Sequence, residues 1–257
     1  MIPKSDGVIA PDTATRTLAI AAGAVAYRED ETPVAPGSIT GSVRMNGALP
    51  ADTMVTPDRD STGCRPFQDV TLPKARGART IAGDTAEVAI ANAVAWLVGV
   101  THGPPTSFPR RVNMVLDGCH FEPRVLLAPT GATIITSNRD EMITDLRFVD
   151  HGVAGAAPRE QIGFTDPGQL VPSSKALAKA GLVEVHDEKH AWVRGFVAVA
   201  PHPFVAVTEP DGNFVFEGVP AGAYQLVVWH ERLGARVMPV RVEQGVATIV
   251  KVTFGGP

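Results

Sequence analysis

The fold is decided by residues 205–230, which read Val-Ala-Val-Thr-Glu-Pro-Asp-Gly-Asn-Phe-Val-Phe-Glu-Gly-Val-Pro-Ala-Gly-Ala-Tyr-Gln-Leu-Val-Val-Trp-His. Runs of β-branched and aromatic residues alternate here with the turn sequences Glu-Pro-Asp-Gly and Val-Pro-Ala-Gly. From Tyr224 to Val228 every second side chain is aromatic or aliphatic, which is typical of a strand with one buried face. Two more such runs, 237–242 and 247–254, follow. Five short strands joined by tight turns predict a small β-sandwich.

Composition extends this interpretation to the whole chain. The 257 residues are 44% hydrophobic, which is sufficient to form the cores of two small domains or one large one. The 25 glycines and 22 prolines separate short Val-rich runs, so we predict a mainly β protein. The net charge is −4, with Lys and Arg scattered along the chain, and this excludes the basic surface that a nucleic-acid partner would need.

Further strands are predicted upstream of the C-terminal run. Residues 38–45 alternate apolar and polar side chains before the Asn46-Gly47 turn, and residues 87–100 alternate in the same way. The Ala-rich segment 173–181 predicts a short helix, with Ser173 or Ser174 as its N-cap and Gly181 as its end. Additional runs typical of strands occupy residues 112–116, 125–128, 132–136, 182–185 and 193–199.

Residues 1–37 form an N-terminal extension of low β character. Its apolar stretch Leu18–Tyr27 has about ten residues, half of the roughly 20 that span a bilayer, so we predict no transmembrane span. The stretch follows Arg16 and contains Ala24-Val25-Ala26, a pattern like a signal-peptidase site. Two interpretations stay open: an arm lying on the protein or on a partner, and a signal or anchor segment.

Cys64 and Cys119 are the two cysteines of the sequence. A bridge between them would close a loop of 55 residues and contribute about 4 kcal/mol on the chain-entropy estimate, which would favour an oxidising compartment. The alternative is two reduced, buried cysteines in a cytosolic protein.

Two segments resemble known families. The pattern from Thr208 to Glu231, with its Asp-Gly, Val-Pro-x-Gly-x-Tyr and Trp-His-Glu elements, resembles the transthyretin-like, carboxypeptidase regulatory-like β-sandwich, as do residues 41–50 and 92–97. Residues 118–125 and 131–140 resemble the plastocyanin-like (cupredoxin) part of bacterial extracytoplasmic proteins of the methylamine-utilisation type.

The resemblance covers about residues 38–254 and implies a domain organisation. We expect an arm at 1–37, a cupredoxin-like β-sandwich region at 38–200, and carboxypeptidase regulatory-like strands at 201–257 that strands from 38–100 could complete. In this family the two cysteines recur outside the copper loop and are plausibly paired, which implies a Cys64–Cys119 disulfide.

The copper ligands of the family are mostly replaced here. The resemblance aligns its Cys with Asp187, its second His with His190, its Met with Val193 and its first His with Thr144. A blue-copper site depends on a thiolate, two imidazoles and a weak axial thioether. We therefore expect a degenerate copper site and no cofactor.

A weaker alternative is a copper or zinc site at His186 and His190, with Asp187 and His120 near them in the fold. Two residues four positions apart can share a metal on a tight loop. On an extended strand they lie about 13 Å apart and cannot.

No catalytic motif is recognisable, so we expect a protein without enzymatic activity. His230-Glu231 lacks the second His of a zinc protease, and neither a nucleophile elbow nor a phosphate loop occurs. Trp192 follows the degenerate loop and is a candidate partner contact, since Trp is enriched at interfaces.

We therefore expect a structural or binding subunit in the periplasm or another extracytoplasmic location. By resemblance, its partner would be a membrane-bound respiratory or photosynthetic electron-transfer complex, or a cytochrome. A carbohydrate-binding or surface-binding module is a further alternative.

Overall fold

The computed structural model describes residues 26–29, 35–47, 53–57, 64, 67–69 and 87–255. Within these residues all regular secondary structure is β-strand. This confirms the predicted mainly β, β-sandwich class. No helix among these residues is long and apolar enough to cross a bilayer. In chain order the strands are β1 (Arg28–Glu29), β2 (Gly37–Asn46), β3 (Thr53–Val55), β4 (Phe67–Asp69), β5 (Glu87–Ala89), β6 (Val94–Val98), β7 (His102–Gly103), β8 (Arg111–Asp117), β9 (His120–Glu122), β10 (Val125–Pro129), β11 (Thr133–Asn138), β12 (Thr144–Asp150), β13 (Glu160–Phe164), β14 (Gln169–Ser173), β15 (Gly181–Asp187), β16 (Arg194–Ala200), β17 (Val205–Val207), β18 (Asn213–Val219), β19 (Gly222–His230), β20 (Gly234–Val242) and β21 (Ala247–Phe254).

The chain divides into two compact units. The first consists of the described residues of Met1–Leu49, Ala75–Pro105 and Phe204–Pro257, and the second of those of Pro50–Lys74 and Thr106–Pro203. The chain therefore leaves the first unit twice and returns to it twice. Strands β2 and β6, from the 38–100 region, pair with C-terminal strands, and β5 pairs with β2.

The first unit contains the C-terminal strands that dominate the sequence pattern. One sheet has the order β17-β6-β19-β20, and in the other β2 lies between β18 and β21 and also pairs with β5. The strands predicted at the C-terminal end are all present, and Gly212 closes the first turn by donating its N–H to the Glu209 carbonyl at 2.7 Å. Inward side chains of both sheets, such as Ile39 and Leu226, are fully buried.

The second unit is a sandwich of two sheets. Their orders are β10-β16-β15-β12-β13 and β14-β11-β8-β9, and one buried cluster includes side chains from both, among them Met114, Ile134, Phe148 and Val197. The end of this sandwich that carries the β11–β12 loop and the β15–β16 loop is the place where the sequence pointed to a degenerate metal site.

The predicted helix at 173–181 is wrong, because the structure has bends and turns there after β14. Only a few backbone bonds could form in so short a helix, whereas nucleation costs several ordered residues. Arg159 instead donates hydrogen bonds to the carbonyls of Ala176, Lys179 and Ala180, and Ala176 and Leu177 are buried in the core. Tertiary contacts therefore replace helical ones.

The predicted N-terminal arm lies largely outside the described residues, and so does most of the candidate signal or anchor. Within the described part, Arg28–Glu29 forms β1, which pairs in parallel with β7.

Gly41 on β2 lies opposite Phe214 on β18 and leaves room for its ring. A Cβ added at Gly41 would lie 2.0 Å from the Phe214 Cζ atom, well inside van der Waals contact. We expect Gly41→Ala to lower the free energy of unfolding by about 1–3 kcal/mol, because the ring or the strand must shift. Chemical denaturation measures this, and Ser42→Ala on the opposite face serves as control, with an expected change within about 0.5 kcal/mol. Equal stability of Gly41→Ala and the wild type would contradict the packing described.

Candidate functional site

The 187–193 loop joins β15 to β16 at one end of the second unit. Two backbone hydrogen bonds shape it: Asp187 N–H donates to the Val193 carbonyl at 3.2 Å, and Val193 N–H donates to the His190 carbonyl at 2.8 Å. Glu188, Lys189 and Ala191 point outward and are exposed, whereas the side chains of Asp187, His190 and Val193 are buried. The loop therefore directs three of the four positions that resemble copper ligands, or their replacements, into the protein.

The Asp187 carboxylate accepts hydrogen bonds from backbone amides. Its Oδ1 accepts hydrogen bonds from the N–H of Lys189 at 2.7 Å and of His190 at 3.3 Å. Its Oδ2 accepts one from the N–H of Asp145 on the neighbouring strand β12 at 2.9 Å. A carboxylate has about four lone-pair positions, so three of them are directed at the chain itself. Asp187 thereby fixes the start of its own loop and ties that loop to β12.

His190 lies against this carboxylate. Its Nδ1 is 3.4 Å from Asp187 Oδ2, and both side chains are completely shielded from solvent. The Trp192 ring also contacts the imidazole, with 5.2 Å between ring centroids. Trp192 is half-buried and packs against the core cluster, so most of its surface stabilises the loop and is not freely exposed.

Thr144 and Val193 complete the set of positions that the resemblance associates with copper. Thr144 is 1% exposed at the start of β12, directly before the Asp145 amide that binds Asp187. Its Oγ1 has no hydrogen-bond partner among the described residues. Val193 is fully buried in the apolar cluster. The set therefore offers one imidazole, one engaged carboxylate, a hydroxyl and an alkyl group, and no sulfur donor.

His186 lies on the opposite face of β15 from Asp187, because successive side chains of a strand alternate. The structure therefore does not bring His186 and His190 together. His120 is exposed on β9, with its Nδ1 3.2 Å from the Gly118 carbonyl. Among the described residues, no group of three or more His, Cys, Asp or Glu side chains has the arrangement of a metal site.

On that opposite face His186 belongs to a polar cluster centred on Glu184. Glu184 Oε2 is 2.8 Å from His151 Nδ1, and its Oε1 is 3.0 Å from Arg194 Nε and 3.7 Å from His186 Nδ1. Burial alone would raise the pKa of Glu184, but the hydrogen bond with His151 and the positive charges of Arg194, His151 and His186 outweigh it and lower that pKa. The cluster links β15 to β16 and to the end of β12.

The predicted Cys64–Cys119 disulfide is present in the second unit. It attaches Cys64 to the β8–β9 turn, where Asp140 accepts hydrogen bonds from the N–H groups of Gly118 and Cys119, each at 2.8 Å. The Asp140 carboxylate, like that of Asp187, is therefore bound by backbone amides.

Sequence reasoning identified the positions of the 187–193 loop but missed two features. The Asp145 amide was not foreseen because strand register, and not sequence spacing, places it beside Asp187. The Glu184 cluster was missed as well. The Glu-x-His alternation at 184 and 186 is the one local signal that both side chains share a strand face, but His151 and Arg194 come from other elements.

The chain is similar to known proteins only at the level of solved structures. No family model matches this chain, and no curated protein matches it. Solved structures that are similar include a purple cupredoxin from Nitrosopumilus maritimus (15% identity, 35% of this chain and 99% of that chain, TM-score 0.31), amicyanin from Paracoccus versutus (18%, 35% and 80%, TM-score 0.29) and a copper-containing nitrite reductase from Thermus scotoductus (20%, 35% and 22%, TM-score 0.28). No functional assignment follows from similarity at this level.

Asp187→Asn should destabilise the second unit. The amide keeps the shape of the side chain but replaces one acceptor oxygen by an NH₂ group that faces a backbone N–H donor. We expect a loss of about 2–3 kcal/mol in the free energy of unfolding, measured by denaturant titration. Lys189→Ala, on the exposed side of the same loop, should change stability by less than about 0.5 kcal/mol. If Asp187→Asn were no more harmful than Lys189→Ala, the three amides could not be anchoring the loop.

The lowered pKa of Glu184 predicts a specific dependence of stability on pH. A carboxyl whose pKa is lower in the folded state contributes stability at pH values above its ordinary 4.5, and that contribution is lost as the pH falls through the folded value. We expect Glu184→Gln to cost about 1–3 kcal/mol near pH 7 and progressively less below pH 4.5.

Thermal or denaturant unfolding from pH 7 to pH 3 measures this difference. Glu188→Gln is the matched control, because Glu188 forms an exposed ion pair with Arg147 that contributes less than about 1 kcal/mol. A Glu184→Gln penalty that stayed constant down to pH 3 would show that the ionised carboxylate is not the stabilising species.

Proposed function

We propose that this protein is a non-enzymatic, extracytoplasmic binding subunit in which the position of a copper site has been converted into a structural anchor. The observation that carries the proposal is the Asp187 carboxylate, which accepts hydrogen bonds from three backbone amides at the position that the resemblance aligns with a thiolate. A ligand that must bind a metal needs free lone pairs, and three of the roughly four on the Asp187 carboxylate are directed at backbone amides of the chain.

The donor set itself does not fit copper. Blue-copper chemistry needs a thiolate to supply its charge-transfer transition and its affinity for Cu(I), with a second imidazole and a thioether. Thr144, Asp187, His190 and Val193 supply one imidazole between them. No electron-transfer step through a metal is therefore part of the proposal.

Two other acidic groups in the described part of the second unit also stabilise the structure. Glu184 is bound by His151 and Arg194, and Asp140 by two backbone amides. Charged side chains arranged in this way stabilise strands and turns. They support the proposal of a protein without catalysis.

The disulfide supports an extracytoplasmic location. Cys64–Cys119 closes a 55-residue loop, and such bonds persist in oxidising compartments, whereas cytosolic thiols are kept reduced. By the estimate above it would contribute about 4 kcal/mol, so the second unit depends on this chemistry.

For the partner we propose a protein component of a membrane-bound electron-transfer complex, bound at the end of the second unit that carries the 187–193 loop. Ile143 is 60% exposed there, next to Thr144 and two residues before Asp145, whose backbone amide binds Asp187. An exposed aliphatic side chain held beside a rigid, anchored loop suits a docking contact, because little conformational entropy is lost on binding.

Two measurements test the proposal. Protein loaded with copper or zinc and then desalted should retain neither metal in stoichiometric amount and should show no intense visible absorption band. A tightly held copper or zinc ion, lost in His190→Ala, would contradict the proposal and favour the metal-binding alternative.

The second measurement is co-purification of the full chain with membrane proteins from its source. We expect a stoichiometric partner that Ile143→Lys releases, whereas Leu170→Lys, at a similarly exposed aliphatic position on β14 in the same unit, retains it. Monomeric protein with no retained partner would count against the binding role.

A further inference from the structure

One end of the second unit carries a loop without polar side chains. Residues 152–158, which join β12 to β13, read Gly-Val-Ala-Gly-Ala-Ala-Pro, and most of them are exposed, with Val153 at 44%. Two tight turns shape the loop: Val153 N–H donates to the Asp150 carbonyl at 3.3 Å, and Ala156 N–H donates to the Val153 carbonyl at 3.2 Å. Surface loops normally carry polar side chains, so an exposed apolar run of this length needs a physical reason.

Arg159 ties this loop to the segment before β15. Its Nε donates to Asp150 Oδ1 at 3.1 Å across the base of the loop, and its Nη1 donates to the carbonyl of Lys179. Both ends of the loop are therefore fixed beside residues 175–180, where Lys175 and Lys179 are exposed.

Two arginines lie at the same end of the unit. Gly131 N–H donates to the Leu177 carbonyl at 2.8 Å, which places the turn between β10 and β11 against that segment. Arg110 Nη1 donates to the Thr130 carbonyl of the same turn at 3.4 Å, and Arg111 begins β8 next to it. Arg110 and Arg111 are both exposed. Four exposed basic side chains therefore accompany the apolar loop.

The charge of this end is positive after every acidic side chain is counted. Five bases and two carboxylates, with a net charge of +3, lie in its described residues, 108–111, 129–133, 149–160 and 173–182. Both carboxylates are bound within the end: Asp150 pairs with Arg159, and Glu160 accepts a hydrogen bond from the Ser173 hydroxyl at 2.9 Å. None of the four exposed bases forms an ion pair with a carboxylate of the described residues.

The opposite end of the same unit is negative. Strand β12 runs from Thr144, beside the 187–193 loop, to Asp150 at the base of the apolar loop, so the two loops lie at opposite ends of the sandwich. Eight carboxylates and four bases, with a net charge of −4, lie at that other end, in residues 115–125, 138–147, 164–169 and 186–193. Glu184 and Arg194, bound to each other on the sheet between the ends, compensate each other. The described part of the unit therefore has an electric dipole along its strands, which a charged surface would orient.

From this arrangement we propose that the basic end, defined as the 152–158 loop with Arg110, Arg111, Lys175 and Lys179, binds the surface of a membrane that contains anionic lipids. The negative surface potential of such a membrane attracts basic side chains, and each Lys or Arg near the surface strengthens binding roughly fivefold. The loop can enter the headgroup layer because none of its side chains loses hydrogen bonds to water on entry. An acidic protein surface would satisfy the four bases but would offer no apolar layer to the loop, so the lipid surface is favoured.

Binding through the basic end directs the 187–193 loop away from the lipid, because the two lie at opposite ends of the unit. The negative end is also repelled by the same surface, which reinforces this orientation. The attraction is screened by salt, since the Debye length falls from about 10 Å at 0.1 M to about 3 Å at 1 M. The proposal does not rest on the partner proposed for the 187–193 loop.

Co-sedimentation of the full chain with phosphatidylcholine vesicles tests the proposal. We expect binding when the vesicles contain about 40% phosphatidylglycerol, and at least about tenfold weaker binding to pure phosphatidylcholine or at about 1 M salt. Lys175→Ala combined with Lys179→Ala should weaken binding to the anionic vesicles at least about tenfold. Arg139→Ala combined with Lys189→Ala removes the same charge from the opposite end and should change binding by less than about twofold.

A second pair of variants tests the loop itself. Val153→Asp places a negative charge in the loop and should weaken binding at least about fivefold, whereas Ile143→Asp, with the same charge at the opposite end, should leave it unchanged. Far-UV circular dichroism and the thermal midpoint confirm that each variant is folded.

Three results would each overturn the proposal. They are a wild type that does not bind the anionic vesicles, equal binding to vesicles without phosphatidylglycerol, and equal binding by the two double variants. The last result would show that net charge or another part of the chain, such as residues 1–37, governs the attraction.

Discussion

Backbone pairing between distant parts of the chain is the constraint on which this structure depends. Strand β2 lies between β18 and β21, so its amides and carbonyls are satisfied only when residues from the C-terminal end are in place. Since two segments between these strands form the second unit, the first unit cannot be complete until the chain has left it and returned twice. Long-range pairing of this kind is costly in loop entropy, and the disulfide within the second unit offsets part of that cost there.

In the second unit, hydrogen bonds hold the loop that the sequence resemblance aligns with a copper-binding loop. A metal would organise the loop by drawing side chains from two strands to one point. Asp187 achieves a similar convergence with hydrogen bonds, because its two oxygens reach amides of its own loop and of β12. A buried carboxylate is tolerated only when its charge is compensated, and the three N–H dipoles contribute to that compensation. Hydrogen bonds to the Asp187 carboxylate therefore shape this loop.

Strand β15 separates two polar systems by its alternation. Asp187 faces the core side and contacts His190, whereas Glu184 and His186 face the other side and contact His151 and Arg194. The first system shapes a loop next to the exposed Ile143, and the second joins neighbouring strands across the sheet. Histidines only four positions apart in sequence thus serve unrelated parts of the structure, and this geometry, more than their spacing, decides what they can bind.

Much of the fold follows from the sequence alone, because strands with one buried face alternate apolar and polar residues, and tight turns need Gly, Pro and Asp. The C-terminal strands and the turn at Gly212 were predictable in this way, whereas the pairing of Cys64 with Cys119 was implied by the family resemblance. The loop positions Asp187 and His190 were also recognisable, from a resemblance of motif. Only the tertiary structure decided that Asp187 binds the Asp145 amide, that Ala176 and Leu177 pack without a helix, and that Arg159 brings the 152–158 loop beside Lys179. Each of these depends on strand register or on packing between segments that are far apart in the chain. The local sequence does not specify which distant segment will lie beside it.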